Sequence, residues 1–532
     1  MTNYHLLSCW LHKIKYNQDK EAVLLISEIN LKASELCKKA IELQVFDKAL
    51  VFKDRSLRKQ RKTKLNENSS KKVIMKEVKH YTKKIKEALP VNPKDFEEIN
   101  IALDHWPLGI YLIYNNIPYN YFEDGNGLLS RPEILTARVI EADPYMHFMG
   151  KALNTYGSNK LIVNAYADLD NQADGFMSNN AVHFSIKEIL NTLNKDDINK
   201  LLLLFDVPKI SDMSDNQKTT LVLTQPYITI SRGRMGFFDQ RHLYSLLIDY
   251  FAPKSKLFFK AHPMDIFLTY EDEFKGCIVF DRFMPSELLP FSLNKKFDIG
   301  LTACSTSIFG LSDCIKKMIC FTPQIEKTYP YIHRYYTAAL ILNNFIENNI
   351  YVTGIDIPLF SMINTECLYK DIKVKEIDFS NINHGFYVID SLYDIDRQEF
   401  EHKIINLSAD DIIIYLNTDN NFLFLSDNFN MIKDYSIPIT IEKHRNSDGH
   451  FNSSENEVIF VFTKNQKIRE QINTMKEEKT LLNSDLKIVI DQKDYQDVKE
   501  LKAILEATEQ YLKESLAENK KLRQLLSNKE EN

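Results

Sequence analysis

Two series of short apolar runs, each alternating with segments of helical period, constrain this chain more than any other feature. In the first series, residues 5–11 and 22–27 read as short buried strands. Residues 31–44 (LKASELCKKAIELQ) have a helical period, and VFDKALVF follows as a further strand. A succession of strand, helix and strand is the opening of a parallel βαβ sheet, and such sheets are covered by helices on both faces. A helical segment at EEINIALDH, a strand at IPYNYFEDG, a helix over 145–155, a strand over 159–166 and helices over 185–204 continue the series. The polar stretch SDMSDNQK interrupts it, and TLVLTQPY, HLYSLLIDYF, KLFFKAHP, CIVF, PSELLPF, FDIGLTACSTSIFG and KKMICFT then carry the same alternation toward residue 380. Two such blocks predict an α/β chain with two doubly wound, Rossmann-like domains, at 1–212 and 213–384. Residues 385–464 mix short aromatic or β-branched runs with acidic and Asn-rich turns, and read as a return or accessory segment. Residues 465–532 are charged and helical in character. Within them Leu501, Leu505, Leu512, Leu522 and Leu526 fall on one heptad seam, interrupted by Thr508, Ser515 and Asn519, as in a coiled coil.

Length agrees with more than one core, since a single core stops growing near roughly 250–300 residues and the chain has 532, of which 44% are apolar. Seven cysteines stand scattered with no CxxC pair, which predicts neither a disulfide framework nor a zinc site and fits a reducing cytoplasm. The apolar stretch in MTNYHLLSCWLHKIKY is short and has no positive segment before it, so neither a signal peptide nor a membrane span is expected. A net charge of -6 argues against a general nucleic-acid binder. Residues 53–86 run against that average, with fourteen Lys and Arg against three acids. They read as a basic insertion, either a solvated linker and helix or a contact to an anionic membrane leaflet or glycan. Neither GxGxxG nor GxxxxGK[ST] occurs, which argues against a dinucleotide enzyme or a P-loop ATPase.

Four short motifs carry the chemistry. Glu123-Asp124-Gly125 follows a strand, where ligands of open α/β sheets gather, and the glycine allows a sharp turn beside the acids. Thr224-Gln225-Pro226 ends the first strand of the second block. Lys260-Ala261-His262-Pro263 sets an imidazole, held by the rigid Pro263, at another strand end, where it could bind or protonate a leaving phosphate. Ser305-Thr306-Ser307 stands where a strand gives way to a helix, with hydroxyl and N–H groups suited to a phosphate.

In this order the four motifs resemble those of bacterial sialyltransferases, in particular glycosyltransferase family 52, the lipooligosaccharide sialyltransferases, and the bacterial polysialyltransferases. The resemblance implies a GT-B fold, two Rossmann-like domains facing a cleft, acceptor side first and nucleotide-sugar side second. It implies an inverting transfer from CMP-sialic acid to a glycan hydroxyl, with no metal or other cofactor. Asp124, or else Glu123, would be the base. His262 would meet the departing CMP phosphate, with Gly125, Thr224, Gln225, Lys260, Pro263, Ser305, Thr306 and Ser307 on the donor. The basic insertion and the long tail depart from the family and leave acceptor and assembly open.

Other readings stay beside this one. A related GT-B transferase of capsule or teichoic-acid synthesis would use CMP-Kdo or CDP-glycerol. A non-catalytic interaction protein would use the tail over 465–528 to recruit partners or a second copy. Asp168-Leu169-Asp170 is a DxD triplet of the kind that holds a divalent ion in single-domain, metal-using glycosyltransferases, although DLD is common by chance. His242, near Arg232, Arg234 and Arg241, reads as a surface helix start or a basic contact to the donor.

Overall fold

The computed structural model describes residues 3–61, 64–123, 143–171, 180–210, 217–230, 235–346, 349–378, 385–390, 397–416, 434–441 and 457–482, with a few single positions between them. The chain divides into two compact units, Met1–Glu326 and Lys327–Asn532.

The first unit is α/β and its strands are parallel. β1 (Val23–Ser27) pairs with β2 (Lys48–Phe52). β3 (Asn100–Ile101), β4 (Tyr119–Phe122), β5 (Ile162–Ala167) and β6 (Ala181–His183) form a four-stranded sheet in that order. β7 (Thr219–Leu223), β8 (Lys256–Lys260), β9 (Ile278–Phe280), β10 (Phe297–Thr302) and β11 (Ile315–Cys320) form a five-stranded sheet ordered β11-β10-β7-β8-β9. β4 and β7 are buried at every position, the pattern of central strands covered on both faces.

Two expectations are corrected. Residues 5–11 are not a strand but part of the helix Asn3–Tyr16. Leu6, Leu7, Trp10 and Leu11 are all buried, and their spacing puts one helical stripe on the core, a pattern that a short apolar run does not separate from a strand. EEINIALDH is not helical: it supplies β3. The Asn120 amide donates to Asn100 Oδ1 (3.0 Å) and to Glu98 Oε1 (3.1 Å), a polar ladder along the β3/β4 edge that a helix would break.

The basic stretch is docked rather than a free linker. Arg61 grips Asp143 with two hydrogen bonds, 2.8 and 2.6 Å, and lies over the Tyr145 ring. The helix Lys71–Ala88, capped by Ser70, buries Ile74, Val78, Tyr81 and Ile85. Tyr145 donates to the buried Glu77 at 2.7 Å. The helix Pro107–Tyr114 comes close to the preceding turn at Gly109, where a Cβ would lie 2.2 Å from the Asp104 carbonyl oxygen.

One apolar core runs from Leu6, Trp10, Leu24 and Phe122 to Leu221, Phe258 and Ile315, so the two larger sheets of the first unit share it. Polar contacts span the same seam. Lys32, just past β1, pairs with Asp281, just past β9, at 2.6 Å, and Asn3 donates to the Phe283 carbonyl at 2.8 Å.

The second unit holds a six-stranded sheet, from β12 (Asn349–Thr353), β13 (Lys373–Glu376), β14 (Phe386–Ile389), β15 (Ile412–Tyr415), β16 (Ser436–Ile441) and β17 (Glu457–Phe462). Its order is β13-β12-β14-β15-β17-β16, parallel except where β17 meets β15 and β16. The segment 385–464, read above as a return or accessory piece, furnishes β14 to β17. The helix Gln466–Leu482 follows. The heptad seam from Leu501 to Leu526 lies outside the described residues. Among the described residues no helix is long and apolar enough to cross a membrane.

Candidate functional site

The β7–β11 sheet has a topological switch point. From β7 the chain moves outward to β8 and β9, then returns to the other side of β7 for β10 and β11. Ligands of open α/β sheets bind outside the carboxyl ends of the strands at such a point. Three of the four sequence motifs stand there. Thr224 and Gln225 follow β7, His262 and Pro263 follow β8, and Ser305 follows β10. With strands spaced about 4.8 Å apart, the β8 and β10 ends flank Thr224 on either side.

The β7 and β10 ends are tied together. Thr302 donates its hydroxyl to the Leu223 carbonyl at 2.8 Å and accepts the Ser305 N–H at 3.0 Å. Tyr227 Oη lies 3.3 Å from Cys304 Sγ, a second tie between the loops. Ser305 is buried, whereas Thr306 and Ser307 are exposed beside the short helix Ser307–Gly310.

The His-Pro loop is built on a carboxylate that the sequence reading did not single out. Asp265 is fully buried. It accepts from Thr224 Oγ1 (2.6 Å), Tyr270 Oη (2.7 Å), Gln240 Nε2 (3.0 Å) and the Phe267 N–H (3.0 Å). Its own N–H donates to the His262 carbonyl at 2.8 Å. Thr224 in turn accepts the His262 N–H at 3.2 Å. A buried carboxyl group needs a hydrogen-bond partner for each of its oxygens, and here the fold supplies all of them. The loop that carries His262 is thus fixed to β7 through Thr224 and Asp265. Gln240 carried a signal for this network: it shares the buried face of the helix Phe237–Phe251 with Leu243, Tyr244 and Leu247, where an amide needs partners. Tyr244 is equally buried, and its hydroxyl accepts the Gln225 N–H at 2.6 Å.

The imidazole is half-buried, and its Nδ1 accepts the Met264 N–H at 3.1 Å. That bond assigns the ring proton to Nε2, the tautomer that offers an N–H. Lys260 is buried, donating to the Ala261 carbonyl at 3.1 Å and the Arg282 carbonyl at 2.9 Å. Burial pushes its ammonium down to about 8, against the opposing pull of Glu287 and Asp281. It braces the loop from below by bonding backbone carbonyls.

The first motif belongs to the other large sheet. Glu123 follows β4 directly, is buried, and donates its N–H to the Tyr166 carbonyl at 3.1 Å. Asp124 and Gly125 lie outside the described residues. On the same carboxyl edge, Asp168 follows β5 and His183 ends β6. Asp168, Asp170 and His183 offer ligand atoms within 4.8 Å of one another, so these are the side chains that could hold a cation. His183 is the member that sequence spacing does not reveal, because strand pairing brings it in. Its Nε2 contacts Glu188 at 3.0 Å, and its Nδ1 accepts the Leu169 N–H at 3.3 Å. Of the basic group around His242, Arg241 pairs with Glu273 at 2.7 Å, and Arg232 and Arg234 lie outside the described residues.

A cavity of about 320 Å³ lies at the opposite edge of the β7–β11 sheet, lined by Gln217, Ser255, Lys256, Lys275 and Cys277. These residues flank the amino ends of β7, β8 and β9, away from every motif, and we assign it no role.

By sequence, no protein family and no curated protein matches the chain. Among solved structures, the chain is similar to an alpha/beta-galactoside alpha-2,3-sialyltransferase from the luminous marine bacterium Photobacterium phosphoreum. The TM-score is 0.32 at 13% identity, covering 66% of this chain and 97% of that one. It is also similar to the S. aureus MnaA–UDP co-structure, with a TM-score of 0.29 at 14% identity, covering 66% and 93%. Likenesses of this size carry no information on activity.

Proposed function

We propose that the chain is a glycosyltransferase that moves sialic acid from CMP-sialic acid to a hydroxyl of a cell-surface glycan, with inversion and without a metal. The supporting observation is that Thr224, His262 and Ser305 stand on three adjacent strand ends at the switch point of a doubly wound sheet, with His262 held in the Nε2–H tautomer. In this reading the front α/β layer, residues 1–212, takes the acceptor, and residues from 213 onward take the nucleotide sugar.

The chemistry follows from the bond that breaks. An acceptor oxygen attacks the anomeric carbon, its proton passes to Asp124 or Glu123, and the C–O bond to phosphate breaks with its electron pair going to the CMP phosphate. Charge grows on that phosphate through an oxocarbenium-like transition state, so donors aimed at it lower the barrier. His262 acts there as a neutral Nε2–H donor, because a proton at Nδ1 would oppose the Met264 N–H. The hydroxyls at 305–307 and the backbone N–H groups of Thr306 and Ser307 add further donors.

A donor screen with the purified chain, reading free CMP, CDP and UDP, tests the proposal. CMP released from CMP-sialic acid alone supports it. CDP released from CDP-glycerol, or CMP from CMP-Kdo, would assign the same edge to the related capsule or teichoic-acid chemistry.

A further inference from the structure

We propose that the outer face of the helix Lys71–Ala88 is a docking surface for an anionic lipid bilayer. Successive helical residues turn by 100°, so Lys72, Lys76, Lys79, Lys83 and Lys86 fall within an arc of roughly 80° opposite the buried stripe of Ile74, Val78, Tyr81 and Ile85. All five are exposed, and among the described residues none is paired with a carboxylate. They span about 21 Å along the helix axis. Of the nearby acids, Asp54 and Glu77 are buried, the exposed Glu67 precedes the helix, and the exposed Glu87, at the edge of the stripe, pairs with Lys84 at 2.9 Å. The packed inner face, with Arg61 bound to Asp143 alongside, holds the stripe as a rigid row.

The charge segregation supplies the argument for the occupant. The chain is net negative, -6, yet residues 53–86 gather fourteen basic groups. Such a molecule turns this face toward a negative surface and its remainder away from it. A straight row of lysines on a convex rod meets a plane of headgroups all at once. It has no concave wall to enclose a polymer, and the row holds no aromatic side chain on which nucleic-acid bases would stack. Each lysine near an anionic leaflet strengthens partitioning about fivefold. The contact does not depend on which donor the enzyme uses.

The test is cosedimentation of the full chain with vesicles, in the absence of any sugar nucleotide. The parent should bind phosphatidylcholine vesicles containing about a third phosphatidylglycerol, ignore pure phosphatidylcholine, and release as salt shortens the screening length. Replacing Lys76, Lys79 and Lys83 together by Gln, which keeps helix propensity, should weaken partitioning by roughly 100-fold with unchanged far-ultraviolet circular dichroism. The matched set Lys151→Gln, Lys160→Gln and Lys195→Gln removes the same charge from other exposed positions and should leave binding near the parent value. Equal loss from both sets, no loss from the first, or binding of single-stranded DNA through these lysines with none to vesicles would overturn the proposal.

Discussion

At the residue scale, Asp265 holds the His-Pro loop. Asp265→Asn turns one acceptor into a donor facing Gln240 and Tyr270, and should destabilise the chain by about 3 kcal/mol or more. The urea midpoint should fall with an unchanged slope. Thr224→Ser keeps the hydroxyl between Asp265 and the His262 N–H and should stay near the parent, whereas Thr224→Val should cost about 1–3 kcal/mol in the same measurement. Lys260 gives a pH signature. Its folded value near 8 lies below the ordinary lysine value of 10.5, so between those pH values the unfolded chain binds the proton and the folded chain does not. Stability should therefore rise with pH across that window by up to about 3 kcal/mol, and the rise should vanish in Lys260→Met, as read by denaturation at each pH. That His262 and Thr224 follow strand ends was legible in the sequence, because the apolar runs before them are recognisable. Asp265 was not: it lies three residues beyond His262, and its importance comes from Gln240 and Tyr270, which only the fold brings to it.

At the scale of elements, the parallel strands were legible wherever an apolar run stood alone between helical segments, as at VLLIS, KLFFK and FDIGLT. The first helix and β3 were misread because their apolar runs are short enough to fit either period, and tertiary packing decides between them. β12 to β17 stayed unread because short strands alternate with acidic and Asn-rich stretches, and β17 finds both its partners only by antiparallel pairing across the sheet. Close approach between elements yields a further prediction. Gly109→Ala places a Cβ 2.2 Å from the Asp104 carbonyl oxygen, and the helix Pro107–Tyr114 must move. Asp104 also anchors the Tyr156 and Gly157 N–H groups at 2.7 and 3.0 Å. The strain should cost about 1–3 kcal/mol, measured as a lower unfolding midpoint.

For the whole molecule, the larger sheets of the first unit share one core; Glu123 follows a strand of the four-stranded sheet, and His262, Thr224 and Ser305 follow strands of the five-stranded one. A transferase acting on an activated sugar needs both sets: a base for the incoming hydroxyl and donors for the leaving phosphate. The most direct measurement is release of CMP from CMP-sialic acid by the purified chain, set beside His262→Ala and Asp124→Ala variants of unchanged circular dichroism. The parent should release CMP, and each variant should fall by about 10²-fold or more. Release that both variants sustain at the parent rate, or no release by the parent with any glycan acceptor, would contradict the proposed transfer.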